Sequence, residues 1–320
     1  MTRIVVMLLL AAAFATPALA APRLSCNTLT IIHPYGPGST SASVLRLVAE
    51  ELHVRLKVPV VIYYRPGALG VPSATALLRA APDGCTLGVL AGIHTSSPWF
   101  MKEPPYNPTQ GFVPIAHVLQ FPNMLVTADV RMRTFGDFLR IARAHPGTVN
   151  TGTMSTGSPD YLTGLLLKEA GVPVNLVPYT KEAAQMPLDI LNGSLHVGIQ
   201  NYFAFSGALQ QGGLWPLAVT TAQRLKKIPD VPTIRESGLP NFAETKSWNG
   251  LVGPPGLPQD MVTLFNGHIS EILRMPELVR KLDELGVQGA PGSPAELADL
   301  IAAEYRMQGD AVRKAGIALQ

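Results

Sequence analysis

Cysteine is nearly absent from this chain. Its 320 residues include two, Cys26 and Cys85. Two cysteines cannot build a zinc knuckle or an iron–sulfur cluster, and the seven histidines contain no H-x-x-x-H pair. Charge is thin as well, 15% of residues with a formal surplus of +3. That surplus is too small for nucleic acid, which needs a clustered basic face, and it is compatible with anionic small molecules. There is no G-x-x-x-x-G-K-[ST] phosphate loop, no G-x-G-x-x-G after a strand, and no G-x-S-x-G nucleophile elbow. GTMSTG (152–157) comes nearest to the elbow, with the wrong spacing. A Ser/His/Asp set assembled in space stays open, because such triads need no fixed spacing. Past the leader, no run of eighteen apolar residues occurs, so no other stretch reads as a membrane span.

The leader is MTRIVVMLLLAAAFATPALA. One basic residue, Arg3, precedes an apolar core from Ile4 to Phe14, and Ala18-Leu19-Ala20 follows. This is the pattern of a secretory signal peptide, and it predicts a mature start at Ala21. The core is short for a membrane anchor, and no cysteine follows to carry a lipid. The expected product is exported, and about 300 residues suggest two domains or one large one.

Elements then alternate. TLTIIH (28–33) reads as a buried strand, Ser41 to Leu56 as a helix, and VPVVIYY (58–64) as a strand. VPSATALLRAA reads as a helix and CTLGVLAG as a strand. This order predicts a parallel α/β unit. KEPPYNPTQGFVPI is Pro-rich and reads as an irregular crossing. A second α/β set follows: strands NMLVTA, TVNTGT, VNLVPY and SLHVGIQN, interleaved with helices. Thr134-x-x-Asp137 predicts a capping box, and Ser158-Pro159 a helix start. LWPLAVTT reads as a strand that begins the return. The tail from Pro258 reads as helical, with Val262, Phe265, Ile269 and Ile272 on one core-facing stripe and Leu278, Leu282 and Leu285 on another. Cys26 and Cys85 would each open a strand. If those strands are parallel neighbours, the sulfurs sit side by side and bridge; otherwise both remain buried thiols.

Loops rich in Gly, Ser and Thr leave strand ends and start helices: GPGSTS (36–41), RPGALG (65–70), GIHTSS (92–97) and GTMSTGS (152–158). Free N–H groups at a helix start bind carboxylate or phosphate without a charged side chain, glycine permits close approach, and hydroxyls add donors. At the ends of parallel strands such loops face the crevice where α/β folds bind ligands.

PYGPGSTSASVLR, YYRPGALGVPSATALLRAAPDGCTL, PYNPTQGFVPIAHV, NTGTMSTGSPDYL, VPYTKEAAQMPLDILNGSLHVGI, LAVTTAQRLKKIPDVPTIRESGLPNF and WNGLVGPPGLP follow one another in register. With them the chain resembles the Bug family, the tripartite tricarboxylate transporter receptors or TctC-like periplasmic solute-binding proteins. The resemblance covers nearly the whole mature chain. It implies a type II-like periplasmic binding protein of two domains, each a mainly parallel sheet flanked by helices, with the ligand cleft between them. The expected division is 21–122 with 228–320 against 123–227. Also implied are a small carboxylate ligand, membrane permease subunits as partners, no cofactor, and a monomer. A sensor feeding a membrane kinase is the alternative within binding proteins. An exported hydrolase using a serine of GTMSTGS is the alternative outside them.

Mapped onto this sequence, the resemblance points to Tyr35, Gly38, Ser39, Thr40, Ala42, His94, Thr95, Thr153, Ser158, Tyr161, Gln200, Asn201 and Trp248 around the ligand. Bland readings stand beside them: Tyr35 as core, Thr153 and Ser158 as caps, Trp248 as interdomain packing, His94 as solvent-exposed. Arg65 reads as a brace for its turn. The chain departs from the family pattern at Gly38-Ser39 and Ala42, at Gln200-Asn201 and at Tyr161. Two acids are thereby missing. This suggests a plain carboxylate in preference to an amino acid, with Tyr161, His94 or Trp248 against a less polar ligand body.

Overall fold

The computed structural model describes residues 24–179 and 185–316. The leader and its cleavage site lie outside the described residues, as do four residues of the KEAAQ stretch and the last of VPYT. The chain starts with β1 (Leu29–His33), α1 (Thr40–Leu56), β2 (Val60–Tyr64), α2 (Val71–Leu78), β3 (Thr86–Ala91) and α3 (Gly92–Ser96). β1 lies between β2 and β3, parallel to both. Its apolar run is almost wholly buried, as a central parallel strand requires. β2 is the edge, and its alternation leaves Val61 and Tyr63 exposed.

β4 (Val113–Thr127) is a long strand, followed by α4 (Phe135–Ala144), β5 (Asn150–Thr153), α5 (Pro159–Glu169), β6 (Asn175–Pro178), α6 (Met186–Leu191), β7 (Val197–Asn201), α7 (Tyr202–Gln210) and β8 (Trp215–Val219). β9 (Lys246–Gly253), α8 (Gln259–Ile272), α9 (Pro276–Glu284), β10 (Gln288–Gly289) and α10 (Pro294–Lys314) complete the chain. The strand order is β2-β1-β3-β9-β4-β7-β5-β6, with β8 and β10 also on β4. β1 to β3 and β5 to β7 are the parallel sets, and β4, β8, β9 and β10 pair antiparallel.

The result is a curled α/β sheet with two lobes, each covered on both faces. In the first lobe, Val44, Val48 and Leu52 of α1 meet Val262, Phe265 and Ile269 of α8 and Leu278 and Leu282 of α9 on one face. Leu77 of α2 and Leu297 and Ile301 of α10 fill the other. In the second lobe, Phe138 of α4 and Leu167 of α5 cover one face, and Ile190 of α6 and Phe205 of α7 the other. Both tail stripes are therefore core, with Leu285 half-buried at the end of the second.

Several expectations need correcting. β4 begins at Val113, inside the stretch read as an irregular crossing. WNGLVG lies in a strand, and that strand makes the return; β8 stays in the second lobe, paired to β4. The segment after 228 is not yet in the first lobe, because Ile234, Leu239 and Phe242 pack with α4 and α5. The lobes therefore part at β9, later than the expected boundary. The tail also contains β10. The cysteines do bridge: Cys26 and Cys85 are bonded, Cα to Cα 5.8 Å, where β1 and β3 start side by side.

Candidate functional site

The cradle after β1 is a capped helix start. Ser39 Oγ accepts the Ala42 N–H at 3.2 Å and donates to Gly36 O at 2.9 Å. α1 has no acid in its first turn, so its own side chains do not offset the partial positive charge of its N-terminus. Gly36 and Gly38 have ordinary φ, and a Cβ on either would meet nothing within 4 Å. They are not needed for the turn; they leave open space beside it. Arg46 Nη1 donates to Pro37 O at 2.9 Å and Nη2 to Ser43 Oγ at 3.0 Å, pinning the loop from behind. Thr40 is half-buried and Ala42 wholly buried. Arg65 stacks on the exposed Tyr63 ring, 4.6 Å from its centroid, as a brace would.

Two buried histidines stand behind these loops. His33 Nε2 lies 2.8 Å from Ser41 Oγ, and its ring meets Tyr35 edge-on. His94 is fully buried, against the reading of an exposed side chain. Its Nδ1 accepts the Ala91 N–H at 3.1 Å, so Nε2 carries the proton and faces Ser73 Oγ at 3.0 Å; that hydroxyl donates to Gly70 O. Nδ1 thus ties the ring to the end of β3, and Nε2 reaches the RPGALG loop through Ser73. Thr95 Oγ1 donates back to Gly92 O at 2.9 Å.

The second lobe presents Thr153, Ser158, Tyr161, Gln200 and Asn201. Ser158 caps α5 by accepting the Tyr161 N–H at 3.2 Å, and Asn201 caps α7 by accepting the Ala204 N–H at 3.3 Å. Thr153 is buried, with Oγ1 donating to Met154 O at 3.1 Å. Gln200 Nε2 lies 3.1 Å from Met154 Sδ. Tyr161 is half-buried and sits edge-on to Phe100 of the first lobe, ring centres 6.3 Å apart. The lobes also touch where Ser96 Oγ donates to Gly157 O and where Gly92 faces Pro159.

Sequence reasoning missed Asp160. It is 3% exposed in the first turn of α5, and its Oδ2 accepts the Met154 N–H. Burial pushes its carboxyl up to about 6. The Tyr35 phenol is raised by desolvation and then by the charge of Asp160. Asp160 is an acid outside the two positions, Ala42 and Gln200-Asn201, where the sequence lacks one. An Asp in a first helical turn is ordinary, and no pattern reveals that its carboxylate folds back onto the preceding loop.

Trp248 is 2% exposed, and its Nε1 makes no hydrogen bond of ordinary geometry. The nearby Glu304 carboxyl is pushed up to about 7 by burial, and the indole N–H partly offsets the rise. Gln308 Nε2 joins Glu304 Oε2 at 2.8 Å to Gly92 O at 3.4 Å, so α10 reaches the start of α3. A groove of about 670 Å³ between α5, α10 and residues 238–243 lies on the outer side, away from the strand ends.

These groups give the fold opposing pH dependences. Burial lowers His33 and His94 from 6.5 to about 4, so each contributes stability that is full above 6.5 and is lost as pH falls toward 4. Asp160 and Glu304 are raised to about 6 and about 7, so their stability is present at low pH and is lost as pH rises through those values. Glu304→Gln is expected to match wild type near pH 4 and to be more stable by about 3 kcal/mol near pH 8. Urea unfolding at the two pH values checks this; equal stability at both would place the Glu304 charge in a solvated setting.

The model of the tripartite tricarboxylate transporter family receptor matches residues 44–317. Protein BugT of Bordetella pertussis is 29% identical over 318 residues, covering 96% of each chain. Among solved structures, Rpa4515 of R. palustris with adipate superposes with a TM-score of 0.84 at 31% identity, covering 92% of this chain and 98% of that one. MatC of Rhodopseudomonas palustris with bound malate gives 0.79 at 28% identity, covering 89% and 98%. The chain belongs to the tripartite tricarboxylate transporter receptor family.

Proposed function

We propose that this chain is an exported receptor that closes its two lobes on a small carboxylate and presents it to the membrane permease of a secondary transporter. One observation carries the reading. The capped N-termini of α1, in the first lobe, and of α5 and α7, in the second, stand at the C-terminal ends of β1, β5 and β7. Such ends offer backbone N–H groups to an anion with no lysine or arginine required. Adipate and malate, named with two neighbours of this fold, are carboxylates.

In this reading the Gly38–Ala42 backbone, Tyr35, Thr95, Thr153, Ser158, Tyr161, Gln200 and Asn201 line the ligand. The rings of His94 and Trp248 support the loops from behind. Asp160 is engaged by Met154 N–H and offers little to a ligand ammonium, which favours a plain carboxylate over an amino acid. Export through the leader would place the protein in the periplasm, as a monomer. Within GTMSTGS, Ser158 gives the hydrolase alternative no support, since its Oγ serves as a helix cap.

A thermal-shift screen of refolded, ligand-free protein tests the proposal, with dicarboxylates, tricarboxylates, aromatic carboxylates, glutamate and aspartate. A ligand at about 100 times its Kd adds roughly 2.7 kcal/mol, a rise of about 2–4 °C per kcal/mol. A rise confined to non-amino carboxylates is expected. A flat response from folded protein would sink the carboxylate reading, and a rise with amino acids alone would sink the preference.

A further inference from the structure

The buried stripe of α10 changes character part-way along. Leu297 and Ile301 face the core of the first lobe. Glu304 and Gln308 continue the stripe at helical spacing, and both are buried. Met307, Ala311 and Lys314 then border the outer groove, opposite Leu166 and Glu169 of α5. Lys314 Nζ meets Glu169 Oε1 at 2.6 Å. The two buried polar residues therefore stand where α10 passes from its own lobe to the other.

A short relay starts there. Glu304 Oε2 accepts from Gln308 Nε2 at 2.8 Å, and the same amide nitrogen lies 3.4 Å from Gly92 O. Pro159 of α5 covers Gly92 from the second lobe: a Cβ on Gly92 would stand 2.7 Å from Pro159 Cγ and 3.7 Å from Trp248 Nε1. Donors and acceptors are unbalanced in this cluster, since Trp248 Nε1 and Gln308 Oε1 are both buried without a partner. A carboxylate can answer only the donor, whereas a neutral carboxyl also carries a proton for an acceptor such as Gln308 Oε1. Among the described residues Glu304 has no ion-pair partner, and Lys246 is taken by Glu244 at 2.9 Å. Burial without a counter-ion favours the neutral form and lifts the carboxyl to about 7. The other ionisable groups at the seam are engaged elsewhere. His117 of β4 meets the Trp248 ring edge-on, centres 6.4 Å apart, and burial lowers it. His94 of α3 is held by Ala91 N–H and Ser73, and Asp160 of α5 by Met154 N–H.

We propose that Glu304 is a proton-dependent positioning residue for lobe closure: its neutral carboxyl, through Gln308 and the Gly92 peptide, holds the seam against α5, and its charged form releases it. The inference rests on the closure of two lobes proposed above and is independent of the ligand's class. When the lobes part, Pro159 leaves Gly92 and Trp248, water reaches the seam, and the carboxyl ionises at its ordinary value. Closing returns it to the neutral form and takes up one proton. Closure is therefore favoured at low pH, and the advantage is lost as pH rises from the ordinary carboxyl range to about 7.

Single-molecule energy transfer in ligand-free protein tests this, with dyes on Val54→Cys and Leu188→Cys. Both positions are exposed, one on each lobe, and the native cysteines are bonded to each other, so the dyes attach at the new thiols. The closed-to-open ratio is expected to fall about 20-fold between about pH 5.5 and about pH 7.5. In Glu304→Gln, whose carboxamide stands in for the neutral carboxyl, the fall is expected to shrink to about fourfold or less, the most that Asp160 contributes over the same range. Gln308→Leu cuts the relay at Gly92 and is expected to bring the ratio at about pH 5.5 down toward the wild-type value at about pH 7.5. That variant decides the matter should Glu304→Gln fail to fold, and an unmoved ratio in it would overturn the proposal. A ratio that does not change with pH in the wild type, or a single population throughout, would overturn it and leave the carboxylate receptor standing. A fall kept in full by Glu304→Gln would assign the proton to another group and overturn it as well.

Discussion

Gly92→Ala is expected to weaken ligand binding by about 10- to 100-fold while leaving the ligand-free fold intact. Gly92 follows β3 directly and has an ordinary φ, so alanine brings no backbone strain. What it brings is a collision: a Cβ there would lie 2.7 Å from Pro159 Cγ. Pro159 is the first residue of α5, and its ring is tied to the backbone and cannot swing aside. The methyl group is therefore a wedge between lobes, at the level of overpacking that costs about 1–3 kcal/mol. Only the form with the lobes together bears that cost. Pro159→Ala in the same chain removes Cγ and is expected to restore much of the affinity, which a double-mutant cycle measures directly. Unchanged affinity in Gly92→Ala would mean that ligand capture does not require the lobes to meet there.

The same contact marks what sequence could and could not convey. Helix starts were legible because capping is local: Ser158 before Pro159 and Thr134 before Asp137 act within one turn. The tail stripes were legible because period alone places Val262, Phe265, Ile269 and Ile272 on one face. The first part of β4, before NMLVTA, was not, because Pro114 and Pro122 argue against a strand. The strand tolerates Pro114 where its pairing with β9 shifts register, between Pro114 and Ala116. β9 was hidden by its glycines. A Cβ on Gly250 would stand 2.5 Å from Leu297 and one on Gly253 2.4 Å from Leu257, so these glycines admit packed side chains and do not turn the chain. The polar segment after 228 looks like a linker, yet Ile234, Leu239 and Phe242 anchor it in the second lobe. The setting of Asp160 depends on which neighbours it meets, and that is a property of the assembled fold alone.

Loss of the Cys26–Cys85 bond is expected to lower stability by about 4 kcal/mol, the chain-entropy value for a loop of this size. The bond closes a separation of 59 residues, and that loop contains β1, α1, β2 and α2. Removing the link frees much of the first lobe's parallel unit in the unfolded chain and should depress the melting temperature by roughly 8–16 °C. Position decides what happens to binding. The sulfurs sit where β1 and β3 begin, while the cradles sit where the parallel strands end. Cys26→Ser with Cys85→Ser should therefore lower the melting temperature of free and liganded protein alike, leaving the ligand-induced rise nearly unchanged. Titration below the lowered melting temperature should give a Kd close to wild type. A Kd weakened tenfold in protein that is still folded would mean that the bridge also sets the spacing of β1 and β3, and through it the loops that Ser39 and Gly92 open.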